Sequence, residues 1–147
     1  MNGLLLRPVR PDDTDALVDV WRRAVEATHD FLAPDDVREL EIGLRDEYLA
    51  AVDVTVAELD GRAVGFVGTD GHRVEMLFVD PDRHGRGIGR ALLTEVGRAH
   101  PVLELDVNKQ NPAALGFYRA LGFEVTGRSE TDGQGRPFPL LHLRREA

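Results

Sequence analysis

Val74-Glu75-Met76-Leu77-Phe78-Val79-Asp80-Pro81-Asp82-Arg83-His84-Gly85-Arg86-Gly87-Ile88-Gly89-Arg90-Ala91-Leu92-Leu93 is the stretch on which the fold turns. Val74–Val79 is short, apolar and partly β-branched, with one internal charge at Glu75, so it reads as a buried strand. Asp80-Pro81-Asp82 stops it, because proline has no N–H for a ladder and aspartate favours turns. Three glycines then alternate with Arg86 and Ile88 before a helical pattern begins. Glycines in a strand-to-helix turn let backbone N–H groups converge without interference from Cβ atoms. The helix start adds unpaired donors and the positive end of a dipole. With Arg83, Arg86 and Arg90 nearby, the sum is an anion site suited to phosphate or pyrophosphate. Taken alone, the same turn is equally a tight cap on a helix.

No G-x-x-x-x-G-K-[ST] occurs anywhere in the chain, so this is not a Walker loop. A Rossmann fingerprint fails at its third glycine, where Arg90 stands, although Asp106 lies about twenty residues on, where a ribose-binding acid would sit. A second block decides between ligands: Asn111-Pro112-Ala113-Ala114-Leu115-Gly116-Phe117-Tyr118-Arg119-Ala120-Leu121-Gly122-Phe123.

The two blocks together resemble the GNAT family of acyltransferases, which use acetyl-CoA. The first matches strand, [RQ]-x-x-G-x-[GA], helix, with His84 where the family usually has Arg or Gln. The second matches N-x-x-A-x-x-[FL]-Y-x-x-x-G-F. They span about a third of the chain. The resemblance implies an α/β GNAT fold over residues 1–147 as one domain. Its sheet would be mixed and mostly antiparallel, of about seven strands, with helices on both faces.

Composition fits that reading. A chain of 147 residues can bury a real core. It has no cysteine, so disulfides, thiolate nucleophiles and Cys-bound metals are excluded. Five scattered histidines show no ligand spacing, and no metal is expected. No run of eighteen apolar residues and no signal-peptide core occur, so a cytoplasmic protein without membrane partners is expected. The net charge of −8 argues against nucleic acid. Between Pro11 and Asp60, 15 acids face only four arginines. Solvated helix faces account for this, and attraction of a cationic amine is the sharper reading.

Along the chain, Leu4–Arg10 reads as an edge strand. Pro11-Asp12-Asp13 starts a helix with an Asp cap, running to about Thr28. A second helix starts at Pro34 and runs through Leu40, Leu44, Tyr48 and Leu49. Val54–Leu59 and Arg62–Gly68 form a hairpin through Asp60-Gly61. After the helix Ile88–Ala99, Val102–Val107 alternates as a strand. Asn111 caps the next helix, with Pro112 at its first position and Gly122 past its end. Glu124–Arg128 and Phe138–Leu143 are the last strands.

The resemblance assigns roles by motif position. His84, Gly85, Arg86, Gly87, Ile88, Gly89 and Arg90 hold the pyrophosphate. Backbone groups of Leu77, Phe78 and Val79 pair with the pantetheine arm as with an added strand. Asn111 contacts the cofactor or merely caps its helix. Tyr118 also touches the cofactor and is the general acid; as a residue type it fits a half-buried core aromatic equally well. A phenol of pKa ~10 stays protonated near neutrality and can donate to a thiolate. The base is open. Glu75 lies two residues before the pairing positions, so a period of two puts it on the substrate-facing side. His29 and His72 are rivals by residue type, and His142 reads as structural. Trp21, His29, Phe31 and Tyr48 are the candidate substrate wall, although Trp21 and Tyr48 equally suit the core.

The expected function is transfer of the acetyl group of acetyl-CoA to a primary amine by direct attack in a ternary complex. The acceptor is unspecified, and the protein is a monomer or a homodimer. A non-catalytic acyl-CoA sensor on the same fold is the alternative, and a dinucleotide-dependent oxidoreductase a distant third.

Overall fold

The computed structural model describes residues 3–28, 33–83, 85–132 and 135–146. Seven strands form one sheet in the order β1-β2-β3-β4-β5-β7-β6. They are β1 (Leu4–Pro8), β2 (Asp53–Leu59), β3 (Arg62–Asp70), β4 (Arg73–Val79), β5 (Val102–Asn108), β6 (Glu124–Ser129) and β7 (Leu140–Glu146). Every pairing is antiparallel except β4 with β5. The helices are α1 (Thr14–Thr28), α2 (Pro34–Gly43), α3 (Ile88–Ala99) and α4 (Pro112–Ala120). This is the mixed α/β architecture that the sequence implied, in the expected order of elements. No helix among the described residues is long and apolar enough to cross a membrane.

Two apolar layers sandwich the sheet. On one face α1 buries Leu17, Val18, Trp21 and Val25 against Val54, Val56 and Phe66. On the other, Ile88, Leu92, Leu93 and Val96 of α3 pack on Ala57, Val67, Leu105 and Val107, with Leu115 and Tyr118 of α4 alongside. Fully burying each such aliphatic side chain is worth about 1.5–3 kcal/mol before entropy is counted. In β5, Leu103, Leu105 and Val107 are buried and alternate with more exposed Glu104, Asp106 and Asn108. The polar row therefore lies on the α1 side of the sheet.

Some boundaries differ from expectation. β1 ends at Pro8, and Arg10 rather than an Asp stands before the first turn, Pro11–Asp13. Asp13 reaches back to accept the N–H of Arg10 at 2.6 Å and also binds Arg7 through two hydrogen bonds of 2.8 and 2.9 Å. A carboxylate that answers a buried guanidinium is better used there than as a cap. The second helix is not uniform: after Gly43 it widens to a π-turn over Leu44–Tyr48 and closes at Leu49–Ala51. The last strand starts at Leu140, because Pro137 and Pro139 have no N–H for the ladder.

Candidate active site

β4 carries two irregularities that make the site. Thr69 of β3 pairs with Val74 and Gly68 pairs with Met76, so Glu75 has no partner and forms a β-bulge. Val74 and Leu77 consequently face the α3 side although they are three apart, and Met76 and Phe78 face α1. A strict period of two would put Glu75 with Leu77, and the bulge places it instead beside Met76. The second irregularity is a splay. β4 and β5 pair only at Arg73 and Glu104, joined by a 3.2 Å bond from the Glu104 N–H to the His72 carbonyl. Beyond that point the β5-facing edge of β4 has no strand against it. Unpaired N–H and C=O groups along a strand edge are a template for an extended ligand.

The gap between the two strands opens into a cleft of about 510 Å³. Leu77, Val79, Leu105 and Val107 line it from the α3 side, and Glu75, Met76, Phe78 and Asp106 from the α1 side. The cleft thus passes through the sheet, and two reactants can meet in it from opposite faces. Its volume suits a long, narrow organic ligand.

The glycine turn closes one end. Gly87 stands before α3 with φ +78° and ψ 12°, and no side chain caps the helix there. The space that a Cβ would fill at Gly85 (φ +79°) and Gly87 is open. The first-turn N–H groups of a twelve-residue helix are therefore free for an anion. Arg83 and Arg90 line the cleft beside them, together with Gly85, Gly87, Ile88 and Gly89. Arg86 is exposed and lies off the lining. His84 falls outside the described residues. Asp80 anchors the turn: its N–H donates to the Val64 carbonyl at 2.8 Å, and Arg23 of α1 binds its carboxylate at 2.8 Å.

Tyr118 lies on the α3 side of the cleft, packed edge-on against Phe117 and Phe123 at 5.1 and 5.5 Å between centroids. Burial pushes its phenol well above the usual range, so the proton stays in place across physiological pH. Asn111 lines the cleft too, but its Oδ1 caps α4 by accepting the Ala114 N–H at 3.2 Å. Glu75 meets the cleft from the other face; Arg73 Nε holds its Oε1 at 2.9 Å. Among the described residues its second oxygen has no ion pair.

The expected substrate wall fares differently. Trp21 is 5% exposed and belongs to the core under the sheet, so it does not line the cleft. Tyr48 packs at the edge of the same core, its ring over Gly43, and is likewise off the cleft. Both residues sit on the apolar stripes that bury α1 and the π-turn. His29 and Phe31 lie outside the described residues. Of the rival bases, His72 is exposed and bound to Glu104 at 2.6 Å, which draws the Glu104 carboxyl below its usual range. Asp106, which the sequence singled out only by its distance from the glycines, is a cleft residue on β5.

Residues 50–125 match the model of an acetyltransferase (GNAT) domain. The peptidyl-lysine N-acetyltransferase YjaB of Salmonella typhimurium is 43% identical over 139 residues, covering 94% of this chain and 95% of that protein. The chain belongs to the GNAT acetyltransferase family. The solution structure of apo-form YjaB from Escherichia coli superposes with a TM-score of 0.89 at 42% identity, covering 96% of each chain. PaiA N-acetyltransferase from Thermoplasma acidophilum, solved in complex with coenzyme A, shares the fold at a TM-score of 0.77 over 98% of this chain and 99% of its own, with 20% identity. The enzyme is therefore an acetyl-CoA-dependent N-acetyltransferase. Its free β4 edge, open glycine turn and flanking arginines fit a pantetheine arm that ends in a pyrophosphate.

Proposed function

We propose that the enzyme acetylates the ε-amino group of lysine in peptides or proteins, residues 1–147 acting as one domain. One observation carries this: the cleft runs through the sheet, with Tyr118 on one wall and Glu75 on the opposite one. Relatives that match almost the whole chain at above 40% identity are named peptidyl-lysine N-acetyltransferases, which supports the choice of lysine.

Acetyl-CoA enters on the α3 side. Its pyrophosphate takes the N–H groups at the start of α3, with Arg83 and Arg90 beside it, and its arm lies along Leu77, Phe78 and Val79. A backbone N–H of β4 polarises the thioester carbonyl, a contribution of a few kcal/mol. The lysine ammonium enters from the α1 side and meets the free oxygen of Glu75. An alkylamine of pKa ~10 is about one part in a thousand neutral at pH 7, a cost near 4 kcal/mol. Glu75 meets that cost by taking the proton, directly or through one water. The nitrogen lone pair attacks the carbonyl carbon, the C–S bond breaks, and Tyr118 donates to the departing sulfur. The proton lost by the amide nitrogen restores the phenol. The products are acetyl-lysine, CoA thiol and one released proton.

The direct test offers the enzyme acetyl-CoA and a peptide that carries one lysine and a free N-terminus, with mass spectrometry to locate the acetyl group. Acetylation of the lysine is expected. Acetylation of the α-amine alone, or of small polyamines but no peptide, would sink the assignment.

A further inference from the structure

A row of side chains crosses four strands on the α1 face and ends at the cleft. Arg73 of β4 binds Glu75 through Nε at 2.9 Å and Asp106 of β5 through a terminal nitrogen. The other Asp106 oxygen lies 2.6 Å from Nδ1 of His142, its register partner on β7. Nε2 of His142 is 2.7 Å from the hydroxyl of Ser129 at the end of β6. Burial alone would lower the Arg73 guanidinium, but the charges of Asp106 and Glu75 outweigh it and raise it. Two members, Glu75 and Asp106, line the cleft.

The array has two useful properties. With His142 neutral, its formal charges leave one net negative charge next to the acceptor path. With His142 protonated they cancel. Asp106 fixes the tautomer by taking Nδ1–H, and the Ser129 hydroxyl can either donate to Nε2 or accept from it. The imidazole can thus gain a proton without any neighbour moving. The charged groups that face it are few: Asp106 directly, Arg73 behind Asp106, Glu104 along β5 and Arg144 along β7, the last paired to Glu146 at 3.2 Å. From β6 it meets its register partner Gly127, Ser129, and the Thr126 hydroxyl, which donates to its carbonyl.

We propose that His142 is a positioning and specificity-determining residue of the acceptor site. Through Asp106 and Arg73 it holds Glu75 with one oxygen free for the substrate ammonium, and in its neutral form it leaves the negative charge that recognises that ammonium. The proposal rests on the reading of the cleft as an amine site, though not on transfer itself.

The test is equilibrium binding of Nα-acetyl-lysine methylamide to the full chain saturated with CoA, followed by NMR. It is run near the ends of the imidazole range, at about pH 5.5 and about pH 8. The lysine ammonium stays charged throughout. Wild type should bind about fivefold more weakly at the lower pH, the size expected for one added charge near a half-exposed site. His142→Asn, whose amide can still donate to Asp106 but does not titrate, should bind equally at both. His142→Ala should bind more weakly at both, with CoA affinity unchanged. The idea fails if His142→Asn keeps the wild-type pH loss, if His142→Ala binds like wild type, or if wild type shows no saturable shift. Binding with this pH pattern but no acetyl transfer would instead sink the transferase reading and leave the role of His142 intact.

Discussion

Replacing Tyr118 by Phe removes one oxygen and little else. The ring keeps its edge-on contacts with Phe117 and Phe123. Stability should therefore hold within about 0.5 kcal/mol, and acetyl-CoA should bind as before. The effect on turnover follows from the direction of the phenol's shift. General-acid groups contribute about 10²–10⁴-fold, most when their pKa matches the leaving group. Burial moves Tyr118 away from a thiolate of pKa ~8.5, so full proton transfer before C–S cleavage is uphill and the hydroxyl acts chiefly as a hydrogen-bond donor. The loss then lies at the lower end, about 100-fold in kcat, or about 2.7 kcal/mol. The same shift predicts that wild-type activity does not fall through pH 10, where an ordinary phenol would ionise. The assay is initial-rate thiol release with saturating acetyl-CoA, beside a thermal-shift titration with CoA. A variant that turns over within twofold of wild type, or one that loses CoA binding along with activity, would refute the reasoning.

Three further outcomes follow from the same geometry. Gly87→Ala places a Cβ at φ +78°, which costs about 1–2 kcal/mol and distorts the anion cradle, so Kd for CoA should rise about tenfold in a calorimetric titration while the melting temperature of the ligand-free chain falls by about 2–8 °C. Glu75→Gln should lower kcat/KM at pH 7 by about 100-fold, and the deficit should shrink as pH rises toward 9 because more amine is already neutral; a deficit equal at every pH would remove Glu75 as proton acceptor. The Arg7–Asp13 pair holds the Asp13 carboxyl below its usual range, chiefly through the Arg7 hydrogen bonds, so its stabilisation is complete above the unfolded value near pH ~4 and fades as pH falls through the folded one. Asp13→Asn should cost about 2 kcal/mol at pH 7 and progressively less below about pH 4 in urea titrations, since Arg7 keeps its second partner, Glu58.

Much of the fold was legible because patterning and turn chemistry agree. The alternation of Leu103, Leu105 and Val107, the Asp60-Gly61 hairpin and the Asn111-Pro112 helix start each gave the element that the structure contains. Glycine spacing likewise located the turn before α3. What escaped were features set by pairing rather than by period. The bulge at Glu75 carries no glycine to announce it, and it is this bulge rather than a simple period of two that sets the face from which the residue meets the cleft. The splay of β4 from β5 depends on strands joined through α3, and nothing local encodes it. Trp21 and Tyr48 suited wall and core alike in the sequence; the apolar stripe of α1 buries Trp21, and Tyr48 of the π-turn packs at the edge of the same core. The π-turn had one available signal, Gly43, where a Cβ would come within 2.7 Å of the Tyr48 ring. The row from Arg73 to Ser129, which passes through His142, joins positions up to 69 residues apart and appears only when β7 is threaded beside β5.

The central claim is that acetyl-CoA lies between β4 and β5 with its pyrophosphate on the turn before α3. The most direct measurement is an NMR titration of the isotopically labelled protein with acetyl-CoA, read at backbone amides. Saturable shifts should appear at Leu77, Phe78, Val79, Gly85, Gly87 and Gly89, with β1 unmoved. Saturable binding that leaves β4 and the glycine turn unchanged, or no binding at all, would contradict the account.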